Sequence, residues 1–417
     1  MFVEEILKNI QEVYTQDSTP WVIGYSGGKD STALLQFIFY ALSELPRKKL
    51  RKEVHVISND TCVENPVVLA YVEKELRKIR KAGKYTLFAH DPNLFKVKTT
   101  VPKLEERFWV NLIAKGYPSP NRWFRWCTER LKINPTNEYI AKAVGKSGKA
   151  IIVLGTRTAE SANRAAAMRH YDNGDRLREH TLPNAYVYTP IADLGNHDVW
   201  AYLFRFDSPW GGDTEKLFSL YEDASDGGEC PFVVETGTPS CGKSRFGCWV
   251  CTVIDRDKAI ENYIENGDAW LKPLLEFRNE LYKIRQASYQ YIPNRIKSRV
   301  KFGPFLIRTR RKLLGRLLEI QDKLSDRLEK KLIRDDEYEY LTKLFENESR
   351  SANGGGILRY EFTLPDRRRF AAVADFDVLD TPRQRLGGLF LRNATPLKTK
   401  EVTPKYDLLS RVLYYEV

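Results

Sequence analysis

No apolar run in this chain approaches the roughly 18 residues that a membrane-spanning helix needs, so no membrane partner is expected. The opening residues, MFVEEILKNIQ, carry early acids and an amphipathic pattern in place of the zones of a secretory signal, and the expected location is the cytoplasm. No internal repeat is visible, so 417 residues imply two or three separate domains. Cysteine is sparse: Cys62, Cys127, Cys230, Cys241, Cys248 and Cys251. In a cytosolic chain these are not expected as disulfides. Four of them fall within 22 residues, a clustering that favours a metal or iron–sulfur site.

What is present reads as a globular protein: 42% hydrophobic and 29% charged residues exclude intrinsic disorder. Lys and Arg outnumber Asp and Glu by 67 to 55, for a net charge of +12. A solvated basic surface accounts for that excess, and so does a polyanionic partner, nucleic acid above all.

Apolar runs at Trp21–Tyr25, Val54–Ser58, Tyr85–Ala89 and Ile151–Leu154 predict four strands. Helical patterns follow at Asp30–Tyr40 and Asn65–Lys81, and a polar, Arg-rich helix follows the fourth strand. Strands alternating with helices predict an α/β fold with a parallel sheet covered on both faces, over residues 1–221. Residues 222–258 form a loop-rich cysteine segment. Residues 259–350 read as charged helices, the clearest running from Ile307 to Glu346 with a possible interruption at Asp335–Glu339. Residues 351–417 read as a C-terminal module with β character after a Gly-rich break.

Between the first strand and its helix lies Ser26-Gly27-Gly28-Lys29-Asp30-Ser31, preceded by Tyr25 and followed by Thr32. Two glycines let backbone approach a phosphate. The free amides and dipole of the helix start attract the anion. Lys29 adds charge, Ser26, Ser31 and Thr32 add hydroxyls, and Asp30 suits either Mg²⁺ binding or helix capping. The spacing is not that of the G-x-x-x-x-G-K-[ST] loop, which disfavours NTPases that cleave the β,γ bond. The hexamer resembles the PP-loop of the ATP-pyrophosphatase superfamily. That likeness implies an adenine-nucleotide α-hydrolase-like domain that cuts ATP between its α and β phosphates.

Other loops should meet at the same sheet edge, beyond the carboxyl ends of the strands. Ser58-Asn59-Asp60-Thr61-Cys62-Val63-Glu64 resembles the adenosine-contacting segment of the phosphoadenosine-phosphosulfate (PAPS) reductase branch. Arg125-Trp126-Cys127-Thr128 with Leu131-Lys132, Gly155-Thr156-Arg157 with Arg164, and His197-Asp198-Val199-Trp200 complete that pattern. Through the resemblance Ser58, Asp60, Thr61, Gly155, Arg157 and Arg164 join the ATP site. Cys127 and Arg157 join Lys29 and Asp30 as candidate catalytic residues. Ordinary roles stand beside these: Cys62 and Cys127 as buried thiols, His197 as a helix-start residue, Arg157 and Arg164 as surface ion pairs. Cys62 occupies a position where the broader family is expected to carry glycine.

Cys230, Cys241, Cys248 and Cys251 have the spacing C-x10-C-x6-C-x2-C, whose soft thiolates suit zinc or an iron–sulfur cluster. With Ser244–Val253, this stretch after such a domain resembles the DndC family, the sulfurtransferases of bacterial DNA phosphorothioation. The resemblance implies a [4Fe–4S] cluster on these four cysteines, with zinc as the alternative. It also implies ATP and Mg²⁺, DNA as substrate, a cysteine desulfurase as sulfur donor, and other subunits of the modification complex. In that chemistry a DNA phosphate is adenylated with release of pyrophosphate, and sulfur then replaces an oxygen. Arg125 and Arg130 are expected to lower the Cys127 pKa and suit it to carry a persulfide, though Cys62 and the cluster stay open as carriers. Arg308, Arg310, Arg311, Lys312 and Arg316, with Arg367-Arg368-Arg369, are the candidate DNA contacts. A sulfonucleotide reductase, a tRNA thiolase and a non-enzymatic iron–sulfur nucleic-acid-binding protein are the competing readings.

Overall fold

The computed structural model describes residues 2–121, 124–160, 176–223, 247–287, 291–296, 299–353, 357–363 and 369–375, with 291–303 and those beyond 345 described by backbone alone. A six-stranded sheet organises the first half. Its strands are β1 (Trp21–Gly24), β2 (Val54–Asn59), β3 (Phe95–Thr100), β4 (Ala150–Val153), β5 (Leu177–Glu179) and β6 (Ala185–Tyr188). Their order is β3-β2-β1-β4-β6-β5, parallel except for β5, which runs antiparallel to β6 at one edge. Trp21, Val22 and Ile23 of β1 and all four residues of β4 are buried, as central strands covered on both faces require.

Helices α1 (Phe2–Thr15), α2 (Lys29–Ser43) and α3 (Pro66–Ala82) cover one face. There Ile10, Leu34, Phe37, Ile38 and Ile79 join Trp21, Ile23, Val54 and Val56 in the main core. Asn65 starts α3 by accepting the Val67 amide at 3.0 Å, with Pro66 in the first turn. Helix α4 (Asn134–Ser147) covers the other face, where Ile140 and Ala143 meet Val22, Ile57, Ala150 and Ile152. Helices α5 (Asn196–Arg205) and α6 (Thr214–Asp223) follow the sheet.

The predicted third strand is corrected. Gly83–Leu87 is a wide helical turn that puts Leu87 and Phe88 into the core, and the third strand is β3, ten residues on from the predicted start. A short apolar run serves a buried turn as well as a strand.

Beyond the cysteines come α7 (Lys258–Glu265), α8 (Lys272–Gln286), α9 (Ile307–Lys323) and α10 (Asp335–Asn353). The predicted 307–346 helix is therefore two helices, and the break comes earlier than expected, ahead of Asp335. An antiparallel hairpin, β7 (Tyr291–Ile296) with β8 (Arg299–Phe305), interrupts what the sequence suggested was purely helical. A second hairpin pairs β9 (Ile357–Thr363) with β10 (Arg369–Asp375). Leu274, Phe277, Leu281, Leu313, Leu317 and Leu341 lie in the same hydrophobic cluster as the sheet's α2 face. No helix of the described residues is long and apolar enough to cross a membrane.

Candidate functional site

Strand β1 ends at Gly24, and the chain turns through Tyr25–Gly28 into α2. Gly27 has φ +75°, and a Cβ there would lie 2.4 Å from Val72 Cγ2, so the turn demands glycine twice over. The loop ties itself together. The Ser26 amide donates to Ser31 Oγ at 3.2 Å, and Ser31 Oγ donates to the Gly28 carbonyl at 3.0 Å. Gly155, just past β4, presses on the start of α2, where a Cβ would meet the Asp30 carbonyl oxygen at 2.7 Å.

Asp30 does not cap α2; Gly28 is the capping residue and makes no side-chain bond. Instead Asp30 Oδ1 accepts from Arg157 Nε at 2.8 Å and Oδ2 pairs with Lys29 Nζ at 3.2 Å. Arg157, 1% exposed, also donates to the Leu194 carbonyl at 2.9 Å, so it is no surface ion pair. Each Asp30 oxygen already bears a cation. This arrangement fits a Mg²⁺ ligand poorly, and it leaves the charge of a bound phosphate to Lys29 and the loop amides.

A cavity of about 600 Å³ opens beside the loop. It brings together Tyr25, Ser26, Gly28, Asp30, Ser31, Ser58 and Gly155 of the predicted site. Ile57, Val68, Val72, Ile152 and Leu154 give it an apolar wall suited to a flat heteroaromatic ring. Glu64, Lys132, Thr136 and Tyr221 also line it. Tyr221 and Thr136 were not foreseen. Tyr221 Oη accepts the Lys29 amide at 3.1 Å across 192 positions of sequence, a separation that no local pattern announces.

Two predicted ATP contacts face elsewhere. Asp60 is 3% exposed and holds Lys330 at 3.1 Å, Arg334 at 2.8 Å and the Cys62 amide at 2.8 Å. Thr61 donates to Glu64 at 2.9 Å and lies 3.3 Å from Cys248 Sγ. Cys62 has φ +65°, the left-handed backbone that favours glycine, which accounts for the glycine expected there. Burial, then the Asp60 carboxylate, pushes the Cys62 thiol up to about 12.

The far wall of the cavity meets sulfur. Glu64 forms an antiparallel bridge with Cys248, the Trp249 amide donates to the Val63 carbonyl at 3.1 Å, and the Asn65 amide donates to the Gly247 carbonyl at 3.1 Å. Cys248 and Cys251 share one turn, with the Cys251 amide on the Cys248 carbonyl at 3.1 Å. Two arginines mould the chain that follows. Buried Arg278 donates to the carbonyls of Cys251, Ile254 and Asp255, and Arg285 to those of Pro120 and Thr252. Lys132 faces this group, its pKa raised by Cys248, Glu64, Cys127 and Cys251.

The lowered Cys127 pKa is not what the geometry gives. Arg125 is exposed, and Arg130 is engaged with Asn111 and with Tyr117 Oη at 3.0 Å. Burial, and the neighbouring Cys251, push the Cys127 thiol up. Two thiols on one turn are a donor pair suited to an iron–sulfur cluster or zinc. Cys230, Cys241 and Arg164 lie outside the described residues, and among the described residues no group of three or more His, Cys, Asp or Glu is arranged to hold a metal.

Within the basic cluster Arg310 is corrected: it is fully buried and donates to the Ala114 carbonyl at 2.7 Å. Lys312 stays exposed and Arg316 partly so, Lys312 pairing with Glu280 at 2.8 Å and Arg316 with Glu319 at 2.8 Å. Arg367 and Arg368 lie outside the described residues, and the Arg369 side chain is not described.

The phosphoadenosine phosphosulfate reductase domain family matches residues 20–253, more than half of the chain. Two uncharacterized proteins of Methanocaldococcus jannaschii are each 25% identical, over 59% and 48% of this chain. The chain spans only 39% and 40% of their lengths. The U34-tRNA thiolase NcsA from Methanococcus maripaludis, solved with its [4Fe-4S] cluster, aligns at 12% identity over 68% of this chain and 78% of its own, with a TM-score of 0.31. The chain belongs to the phosphoadenosine phosphosulfate reductase domain family, a family of PP-loop enzymes.

Proposed function

From that membership, we propose that the protein is an ATP-dependent sulfurtransferase that adenylates a DNA backbone phosphate and replaces one of its oxygens with sulfur. The observation that carries this reading is the closeness of the cavity to the thiols. The phosphate loop forms one end, and Glu64 and Lys132 at the other stand against Cys127, Cys248 and Cys251. Nucleotide activation and sulfur delivery can thus sit side by side, with Glu64 and Lys132 between them.

The loop amides and Lys29 hold the β and γ phosphates, and Asp30 with Arg157 fixes the Lys29 ammonium in place. Preorganised charge of this kind stabilises departing pyrophosphate without reorganisation. A phosphate oxygen of DNA attacks the α-phosphorus, pyrophosphate leaves, and the acceptor phosphorus now bears AMP as its leaving group. A thiol reductant cleaves the donated persulfide to hydrosulfide, which attacks that phosphorus; the P–S bond forms as the P–O bond to AMP breaks and AMP leaves. Cys248 and Cys251, with Cys230 and Cys241, would hold a [4Fe–4S] cluster, which when bound supplies iron beside the sulfur. The DNA acceptor, a cysteine desulfurase as donor and companion subunits come from the likeness of Cys241–Val253 and its surroundings to the DndC family.

The test is pyrophosphate release from ATP by anaerobically purified protein, wild type beside Lys29→Ala, with iron and sulfide measured on the same sample and DNA, a desulfurase and candidate companion subunits supplied. Release that depends on Lys29, with phosphorothioate appearing in the DNA, is the expected result. The family's description also raises a sulfonucleotide reductase, which consumes a preformed sulfonucleotide and releases no pyrophosphate from ATP. Activity of that kind, with no ATP cleavage, would overturn the proposal.

A further inference from the structure

We infer that the Tyr221 hydroxyl stands in for a phosphate oxygen at the loop, and that a pyrophosphate-bearing ligand displaces it. The inference rests on the phosphate-loop reading and adds a residue and a consequence to it. The Lys29 amide is the first of α2, one of the donors that a helix leaves without an intrahelical partner. Such donors are where an anion docks. Here the donor is already taken: Tyr221 Oη accepts it at 3.1 Å, and the Tyr221 ring lies 5.3 Å from Lys29 Nζ. One side chain therefore holds both the amide and the ammonium that a pyrophosphate would claim, and it does so from the cavity's lining.

A neutral phenol and a multiply charged anion do not compete evenly for those groups. Hydrogen bonds to an ionised acceptor are roughly twice as strong as neutral ones, so the anion takes the amide and the hydroxyl gives way. The displacement has a reporter. Tyr221 sits on α6 and meets the buried Trp200 of α5 edge-on, with ring centroids 5.3 Å apart. Loop occupancy thereby reaches α6, whose chain runs on toward Cys230. The opposite arrangement, in which the hydroxyl stays and bonds to the phosphate, predicts an effect of opposite sign.

The experiment titrates inorganic pyrophosphate into the full-length chain by calorimetry and by tryptophan emission, comparing wild type, Tyr221→Phe and Trp200→Phe. Tyr221→Phe deletes one oxygen and keeps the ring. It should bind pyrophosphate about two- to tenfold more tightly, the worth of one net hydrogen bond. Wild-type emission should change on binding, and Trp200→Phe should lose that change. Equal or weaker binding by Tyr221→Phe, or wild-type binding with no change in Trp200 emission, overturns the exchange while leaving the phosphate loop intact. Binding to neither wild type nor Tyr221→Phe removes the phosphate-loop reading and the exchange together.

Discussion

Asp30 and Asp60 follow neighbouring strands at the same edge of one sheet, and each holds two cations, but the cations come from different places. Those of Asp30 are Lys29, its neighbour, and Arg157 after β4, all within the nucleotide-binding half. Those of Asp60 are Lys330 and Arg334, from the segment between α9 and α10, some 270 positions away. The first cluster braces the glycine loop beside the cavity. The second is a clasp that fastens the helical half of the chain to the loop after β2. Similar chemistry at matching topological positions thus braces the glycine loop in one case and joins distant parts of the chain in the other.

The largest expected effect comes from Asp30→Ala. It strands Arg157, 1% exposed, without its counter-charge, and should cost about 3–5 kcal/mol in urea denaturation along with pyrophosphate release. Asp60→Asn should cost less, about 1–2 kcal/mol, because Lys330 and Arg334 keep partial contact with water and Lys330 keeps Glu73. Hydrogen exchange should then quicken in α10 and leave α2 unchanged; faster exchange in both would erase the distinction between the two clusters.

Glu337, in the clasp, sharpens it through pH. Burial raises its pKa from 4.5 to about 7, against the pull of Arg107 and Arg334. Between those values the folded protein holds a proton that the unfolded chain has released. Glu337 therefore contributes stability that is fully present below pH 4.5 and is lost as pH rises through about 7. Glu337→Gln should remove this slope, worth on the order of 2 kcal/mol, in melts at pH 5 and pH 8. The smallest effect belongs to Cys62→Gly, which relieves a left-handed backbone at φ +65° and should stabilise by about 0.5–1 kcal/mol in thermal melts.

The same contrast explains what could be read in advance. Ser26–Ser31 lies between an apolar strand and an amphipathic helix, so its place in the fold follows from a short stretch of chain. The clasp joins residues some 270 positions apart, so the sequence around Asp60 suggests a nucleotide contact and gives no sign of Lys330 or Arg334. β3 was missed because it is an edge strand. Phe95 and Val97 point inward while Lys96 and Lys98 face out, a charged pattern typical of guarded edges that hides the strand from a search for apolar runs. Arg310 looked like a nucleic-acid contact because it stands among basic residues, yet the helix phase that buries Leu313, Leu314 and Leu317 buries it too.

Arg278 and Arg285 bear on what shapes the chain beside the thiols. Between them they gather carbonyls from Pro120, Cys251, Thr252, Ile254 and Asp255 using guanidinium groups alone. The backbone that follows the Cys248–Cys251 turn is therefore set by polypeptide chemistry during folding. Removing either guanidinium should therefore loosen the chain beside both thiols, whether or not anything is bound to them.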